Sequence, residues 1–165
     1  MRITEPIRKY ILVGIVSLVV AGLIVANILA SKQDKEFASN EELYNQTFEL
    51  QSNGDIEGAL KAIQEVLKKT PNSEVANYMA GIVAAQKGDM KKASIYMQKT
   101  LDINPYKVED PMFMIQMGEI FVGAEKYEEA KIVLLRCQES AWAPEELPDY
   151  QNQVSALLAQ VENLQ

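Results

Sequence analysis

Histidine is absent from the 165 residues, and cysteine occurs once, as Cys137. The first absence removes a Ser–His–Asp triad, an imidazole general base and any histidine metal site. The second removes an intramolecular disulfide and any cysteine cluster for zinc or iron–sulfur. Basic residues are also in short supply. Sixteen stand against 23 acidic residues, for a net charge of −7, so the basic footprint that sequence-independent nucleic-acid binding requires is missing. What remains is ordinary: hydrophobic residues make up 48% and charged residues 24%, which argues against disorder and for one domain with a short appendage.

Long apolar runs are confined to one place. Residues 11–30 read ILVGIVSLVVAGLIVANILA and carry no ionisable side chain. Twenty residues at about 1.5 Å each make about 30 Å of helix, the thickness of a bilayer's hydrocarbon core. The run is apolar on every face, and the rest of the chain is too small to surround it as a core helix. A cleaved signal peptide is the competing reading. Its usual apolar stretch is shorter, and a cut after Ala30 would put Ile28 where a small residue belongs. The expectation is an uncleaved transmembrane helix over 11–30, after an N-terminal tail of residues 1–10 and before a linker of residues 31–39. Arg2, Arg8 and Lys9 precede the run, whereas Lys32 and Lys35 follow it. The positive-inside rule then places the N-terminus in the cytoplasm and the remainder on the extracytoplasmic, periplasmic side of a cell (inner) membrane. Ser17 with Ala21, and Gly22 with Ala26, form small-xxx-small pairs that suit a helix–helix contact within the membrane.

Beyond the linker the chain repeats itself. Gly54-Asp55 recurs as Gly88-Asp89, Ala59 as Ala93 and Pro71 as Pro105, each 34 residues on. That period belongs to stacked helix–turn–helix units. Gly-Asp suits the turn between two helices, since glycine accepts positive φ at a helix C-terminus and aspartate caps the next helix. The alanine allows close approach, and the proline stops the second helix. Helical periodicity agrees: Ile56, Leu60, Ile63, Val66 and Leu67 form one apolar stripe, and Tyr127, Ala130, Val133, Leu134 and Cys137 another.

On these residues the chain resembles the tetratricopeptide repeat (TPR) family. Unit one is residues 40–73 and unit two 74–107, with Gly81, Gly88, Ala93 and Pro105 in register. Thr47 replaces the small residue of the first helix in unit one. Unit three, 111–144, keeps Gly118, Phe121, Tyr127, Ala130 and Cys137, but is offset by Val108 to Asp110 and has Glu125-Lys126 in place of Gly-Asp. The tail 145–165 opens a final helix at Pro148-Asp149 and looks like the cap that a solenoid end requires. The expected fold is therefore all-α: one membrane helix, a TPR α-solenoid spanning 40–144 and a capping helix.

The resemblance implies a concave face lined by the first helix of each unit. Carried onto this chain, its ligand-contacting positions include Tyr44 and Phe48 in unit one, Tyr78 and Ile82 in unit two, and Met112, Ile115 and Glu119 in unit three. TPR domains that hold a chaperone's acidic C-terminus carry Lys and Asn at the fifth and ninth places, which this chain does not. An apolar, aromatic-bearing groove suits an extended hydrophobic peptide or an amphipathic helix. Filling of that groove by the chain's own C-terminal helix is the bland alternative. Cys137 and most methionines read as core, and Trp142 as packing against the cap. Adjacent carboxylates such as Glu128-Glu129 suit helix starts, with no pocket to make them catalysts.

The resulting expectation is a non-catalytic, cofactor-free, membrane-anchored TPR adaptor or assembly factor. It binds protein partners through the groove, with membrane-embedded subunits reachable through the apolar helix, inside a machine such as a secretion, pilus, translocon or cytochrome-maturation complex. Bacterial N-anchored TPR proteins share this layout. A holdase-like chaperone for exported chains and a signal-anchored organellar import receptor are the alternatives.

Overall fold

The computed structural model describes residues 41–164 and, before them, Leu23 alone. The tail, the apolar run with Ser17, Ala21, Gly22 and Ala26, and the linker lie outside the described residues. Among the described residues, no helix is long and apolar enough to cross a membrane. The chain divides into two compact units, residues 1–42 and 43–165, and the architecture below is that of the second.

Its helices are α1 (described over 41–52), α2 (Ile56–Lys69), α3 (Glu74–Gln86), α4 (Met90–Ile103), α5 (Pro111–Gly123), α6 (Tyr127–Glu139) and α7 (Tyr150–Leu164). No strand occurs among the described residues. The pairs α1/α2, α3/α4 and α5/α6 are the three expected units. A single 3-10 turn, Pro105–Glu109, joins α4 to α5 and absorbs the offset of the third unit.

The turns within units follow from the residues that build them. Gly54 and Gly88 have φ of +78° and +84°. Asp55 then accepts a hydrogen bond from the Gly58 amide (2.8 Å), and Asp89 from the Lys92 amide (3.1 Å). Each thus satisfies an N–H that the helix leaves open. The third unit makes the same turn from residues that do not favour it. Glu125 takes φ of +63°, and Lys126 gives no side-chain cap to α6. The backbone bond from the Lys126 amide to the Phe121 carbonyl (2.9 Å) matches those from Asp55 to Leu50 and from Asp89 to Ala84. Packing imposes the geometry where local chemistry does not.

Small residues sit where helices cross most closely. Ala59, Ala93 and Ala130 are fully buried at the same place in the three second helices. A methyl added at Gly118 would lie 2.6 Å from Leu134 Cδ2, and one at Gly81 would lie 2.9 Å from Met97 Sδ. Thr47 fills the matching place in unit one, fully buried, and satisfies its hydroxyl by donating to the Leu43 carbonyl at 2.7 Å. Around these crossings one apolar core runs from Ala59 to Val161, including Ile63, Val66, Met97, Phe113, Phe121 and Leu134. Burying a side chain of that size contributes about 1.5–3 kcal/mol.

The cap docks through Tyr150, Val154, Leu158 and Val161, all buried. The Tyr150 hydroxyl donates to the Pro111 carbonyl at 3.0 Å, pinning α7 to the start of α5. Burial pushes that phenol well above its ordinary pKa, so it acts as a neutral donor. Trp142 meets Tyr150 edge-on at 6.3 Å. Cys137 is buried against the same region, and burial pushes its thiol up, away from a reactive thiolate. The helix opens at Tyr150, after turns that include Pro148 and Asp149.

Unit two is fastened to unit three by charge. Lys107 lies 3.5 Å from Glu74 and 2.9 Å from Asp110, and Asp110 caps α5 by accepting from the Phe113 amide at 3.1 Å. Burial raises the Asp110 carboxyl, but the bonds from Lys107 and the Phe113 amide outweigh it and hold the group below its ordinary value. A carboxylate depressed in the folded state adds stability above its unfolded pKa of about 3.9 and loses it as pH falls through the folded value.

Two outcomes follow from these contacts. Glu125→Gly removes the cost of placing a side chain at positive φ and is expected to raise stability by roughly 0.5–1 kcal/mol, read as a higher urea midpoint; a lower midpoint contradicts the turn assignment. Asp110→Asn keeps the cap and loses the ion pair, at roughly 0.5–1 kcal/mol near pH 7 for a partly exposed pair. The gap from the parent chain is expected to narrow below about pH 4. A gap that is constant with pH contradicts the ion-pair contribution.

Candidate functional site

The first helices of the three units lie side by side and leave a cleft of about 250 Å³ lined by Phe48, Gln51, Tyr78, Met79, Ile82 and Gln116. These residues come from α1, α3 and α5. The cleft unites three of the expected groove residues: Phe48, Tyr78 and Ile82. Phe48 is 66% exposed, a large apolar side chain left in water by its own fold. Tyr78 and Ile82 are half-buried and form the floor. Their placement is a helix property, because residues four apart on α3 present one face.

Polar contacts fix the walls. The Tyr78 hydroxyl donates to Gln116 Oε1 at 2.6 Å, and its ring meets Phe113 at 5.7 Å between centroids. Burial, with the nearby Asp110 charge, lifts the Tyr78 phenol above its ordinary pKa, so it remains a donor. Lys107 stands 5.6 Å from the centroid of the same ring. Gln51 of α1 donates to Gln86 of α3 at 2.9 Å, closing one end. Tyr44 is half-buried beside the cleft, and its hydroxyl shares a hydrogen bond of 2.8 Å with Ser73.

Unit three departs from expectation. Ile115 is 2% exposed and belongs to the core, so it offers nothing to a ligand. The reason is the cap: α7 packs on α5, as the Tyr150–Pro111 bond shows, and both Ile115 and Val122, two turns apart on α5, are buried. Met112 is half-buried outside the cleft lining. Glu119 is exposed, yet loss of water around its carboxyl raises its pKa. No residue of α7 lines the cleft, so the chain's C-terminal helix does not fill it.

Met79 and Gln116 were not among the expected residues. Both follow the fifth place of their unit, and they occupy the same repeat position once the three-residue offset is counted. That equivalence was the available signal, but it becomes a wall only when the spacing between first helices is known. Chemically the lining is four apolar or aromatic side chains and two amides, with the Tyr78 phenol its one titratable group. No group of three or more metal-ligating side chains occurs among the described residues. The arrangement is suited to holding an apolar segment by its side chains, with amides to bond a backbone.

Comparison with curated proteins finds none that matches the chain. Solved structures resemble it in fold. The Yersinia enterocolitica type III secretion chaperone SycD, in complex with a peptide of the translocator YopD, has a TM-score of 0.62 at 19% identity, covering 75% of this chain and 92% of that one. A T3SS complex from Aeromonas hydrophila has a TM-score of 0.65 at 18% identity, covering 82% and 88%. The first TPR of Spaghetti (RPAP3), bound to the HSP90 peptide SRMEEVD, has a TM-score of 0.60 at 16% identity, covering 74% and 94%. The family described as tetratricopeptide repeat-like domain matches residues 8–147, which takes in the apolar run, all three helix pairs and most of the connection to the cap. The chain belongs to that tetratricopeptide repeat-like domain family.

Proposed function

We propose that the chain is a non-catalytic adaptor, anchored in a membrane by residues 11–30, which holds a segment of a partner protein in the cleft between α1, α3 and α5. The observation that carries this is Phe48. An aromatic ring exposed at the mouth of a cleft floored by Tyr78, Met79 and Ile82 stabilises a bound apolar segment more than it stabilises the free fold. The similar folds give support, because SycD and the TPR of Spaghetti are described with peptides bound. The family match begins at residue 8 and so includes the apolar run, which supports counting that run as part of the working protein and not as a discarded leader. On this reading the N-terminus is cytoplasmic, the helix stack is extracytoplasmic, and the partner belongs to a membrane machine for secretion, pilus assembly, translocation or cytochrome maturation. The small-residue faces at Ser17/Ala21 and Gly22/Ala26 then give a second point of contact with membrane-embedded subunits.

A second reading, a holdase-like chaperone for exported chains, is favoured by one observation: SycD, similar in fold across most of both chains, is itself a chaperone. The two readings differ in how many partners share the cleft.

The test uses the full chain extracted in mild detergent. Phe48→Asp and Ile82→Asp are expected to weaken partner retention more than tenfold, the loss typical of removing a buried apolar anchor. Phe48→Asp should leave thermal stability within about 0.5 kcal/mol, since the side chain is exposed. Retention of one stoichiometric partner by the parent chain supports the adaptor; weak retention of many unrelated exported chains supports the holdase. Undiminished retention by both variants contradicts the groove. For topology, a cysteine at exposed Asn53 is expected to react with a membrane-impermeant maleimide applied from the extracytoplasmic side, and reaction only from the cytoplasmic side overturns the orientation.

A further inference from the structure

The cations of helices α1–α7 are confined to the second helix of each unit. The first helices, α1 over 41–52, α3 and α5, contain no lysine or arginine, and their ionisable residues other than tyrosine are Glu41, Glu42, Glu49, Glu74 and Glu119. The second helices hold the cations: Lys61, Lys68 and Lys69 on α2, Lys91, Lys92 and Lys99 on α4, and Lys131 and Arg136 on α6. The face that lines the groove is therefore acidic or neutral along its described length, while the basic residues belong to the other layer.

Lysines that lie in the connections do not neutralise the groove. Lys107, beside the Tyr78 ring, is held between Glu74 and Asp110, and Lys87 pairs with Glu57 at 3.5 Å. Lys126, past the end of α5, sits 5.3 Å from the Phe121 ring centroid. Glu119 differs from Glu74, which Lys107 and Asn104 both engage. No basic side chain or hydrogen-bond donor among the described residues faces the Glu119 carboxyl, and burial alone acts on it, raising its pKa. It lies three residues beyond Gln116 on α5. The bond from Tyr78 to Gln116 sets the register of α3 against α5, so Ile82, one turn beyond Tyr78, stands beside the stretch that carries Glu119. A carboxylate with no partner among the described residues thus stands on α5 one turn beyond the cleft wall at Gln116. Exposed yet partly desolvated, it is open to a cation from outside, whose charge would favour the ionised carboxylate.

We propose that the segment taken up by the groove is apolar and carries a lysine or arginine whose cation pairs with Glu119. The proposal rests on the groove reading and adds the partner's chemistry: it selects a basic apolar segment and rejects an acidic one. The selectivity comes from charge complementarity, whereas affinity comes from the apolar floor.

Three synthetic peptides of one apolar sequence, with a lysine, glutamine or glutamate at a single central position, make the test. Their binding to the detergent-solubilised full chain is followed by fluorescence anisotropy at low salt. The lysine peptide is expected to bind roughly fivefold tighter than the glutamate peptide, with glutamine between, and the spread should shrink as salt is raised. In Glu119→Lys the order should reverse, and in Glu119→Gln it should flatten. Because Glu119 is exposed, both variants are expected to keep the parent's circular dichroism. Equal binding of all three peptides to the parent chain, abolished by Phe48→Asp, overturns the basic-segment inference and leaves the groove standing. An unchanged order in Glu119→Lys overturns the role of Glu119. Absence of binding by every peptide overturns both the groove and this inference.

Discussion

No helix pair of this chain can bury its own apolar face. Each pair presents large apolar side chains, such as Ile63 and Val66, Val83 and Met97, or Phe113 and Leu134, and stacking takes them out of water. The close crossings at Ala59, Ala93 and Ala130, and at Gly81 and Gly118, exist because that burial demands short distances between helix axes. The same demand holds Glu125 at positive φ in a turn that its side chain disfavours. It also requires an end to the stack. Tyr150, Val154, Leu158 and Val161 supply one by covering α5, which would otherwise expose an unpaired apolar flank.

Stacking then creates the groove as a by-product. First helices set side by side leave a channel on the face that the second helices do not cover. Along α1 and α3 that channel remains open among the described residues, where Phe48, Tyr78 and Ile82 line it. Along α5 the cap takes up the flank that includes Ile115. The open cleft thus belongs mainly to the first two units, with Gln116 forming its third edge. Glu119, one turn further along α5, has no cationic partner among the described residues.

The sequence exposed the part of this that local chemistry dictates. Gly54-Asp55 and Gly88-Asp89 announced both the period and the turn, since few residues other than glycine enter positive φ without strain and aspartate is a ready cap. Thr47 was visible as a departure at a small-residue position, but not that its hydroxyl would be satisfied by the Leu43 carbonyl of its own helix. Relations set by distant packing were hidden. The burial of Ile115 depends on where α7 lands, thirty-five residues and more away along the chain. Gln116 becomes a wall of the cleft only because Tyr78 reaches across from another helix to bond it. The 3-10 turn that absorbs the three-residue offset was a gap in the repeat, without its own pattern.

The account stands on one claim, that an apolar segment of another protein lies in the cleft at Phe48. Photocrosslinking in intact cells addresses it most directly, using a photoreactive phenylalanine analogue at position 48 and, as a control of matched exposure, at position 95. Phe48 and Ile95 are 66% and 63% exposed, but only Phe48 lines the cleft. The account predicts a discrete adduct from position 48 that is lost when Ile82→Asp is added, and none from position 95. A discrete adduct from position 95 with none from position 48 would contradict it.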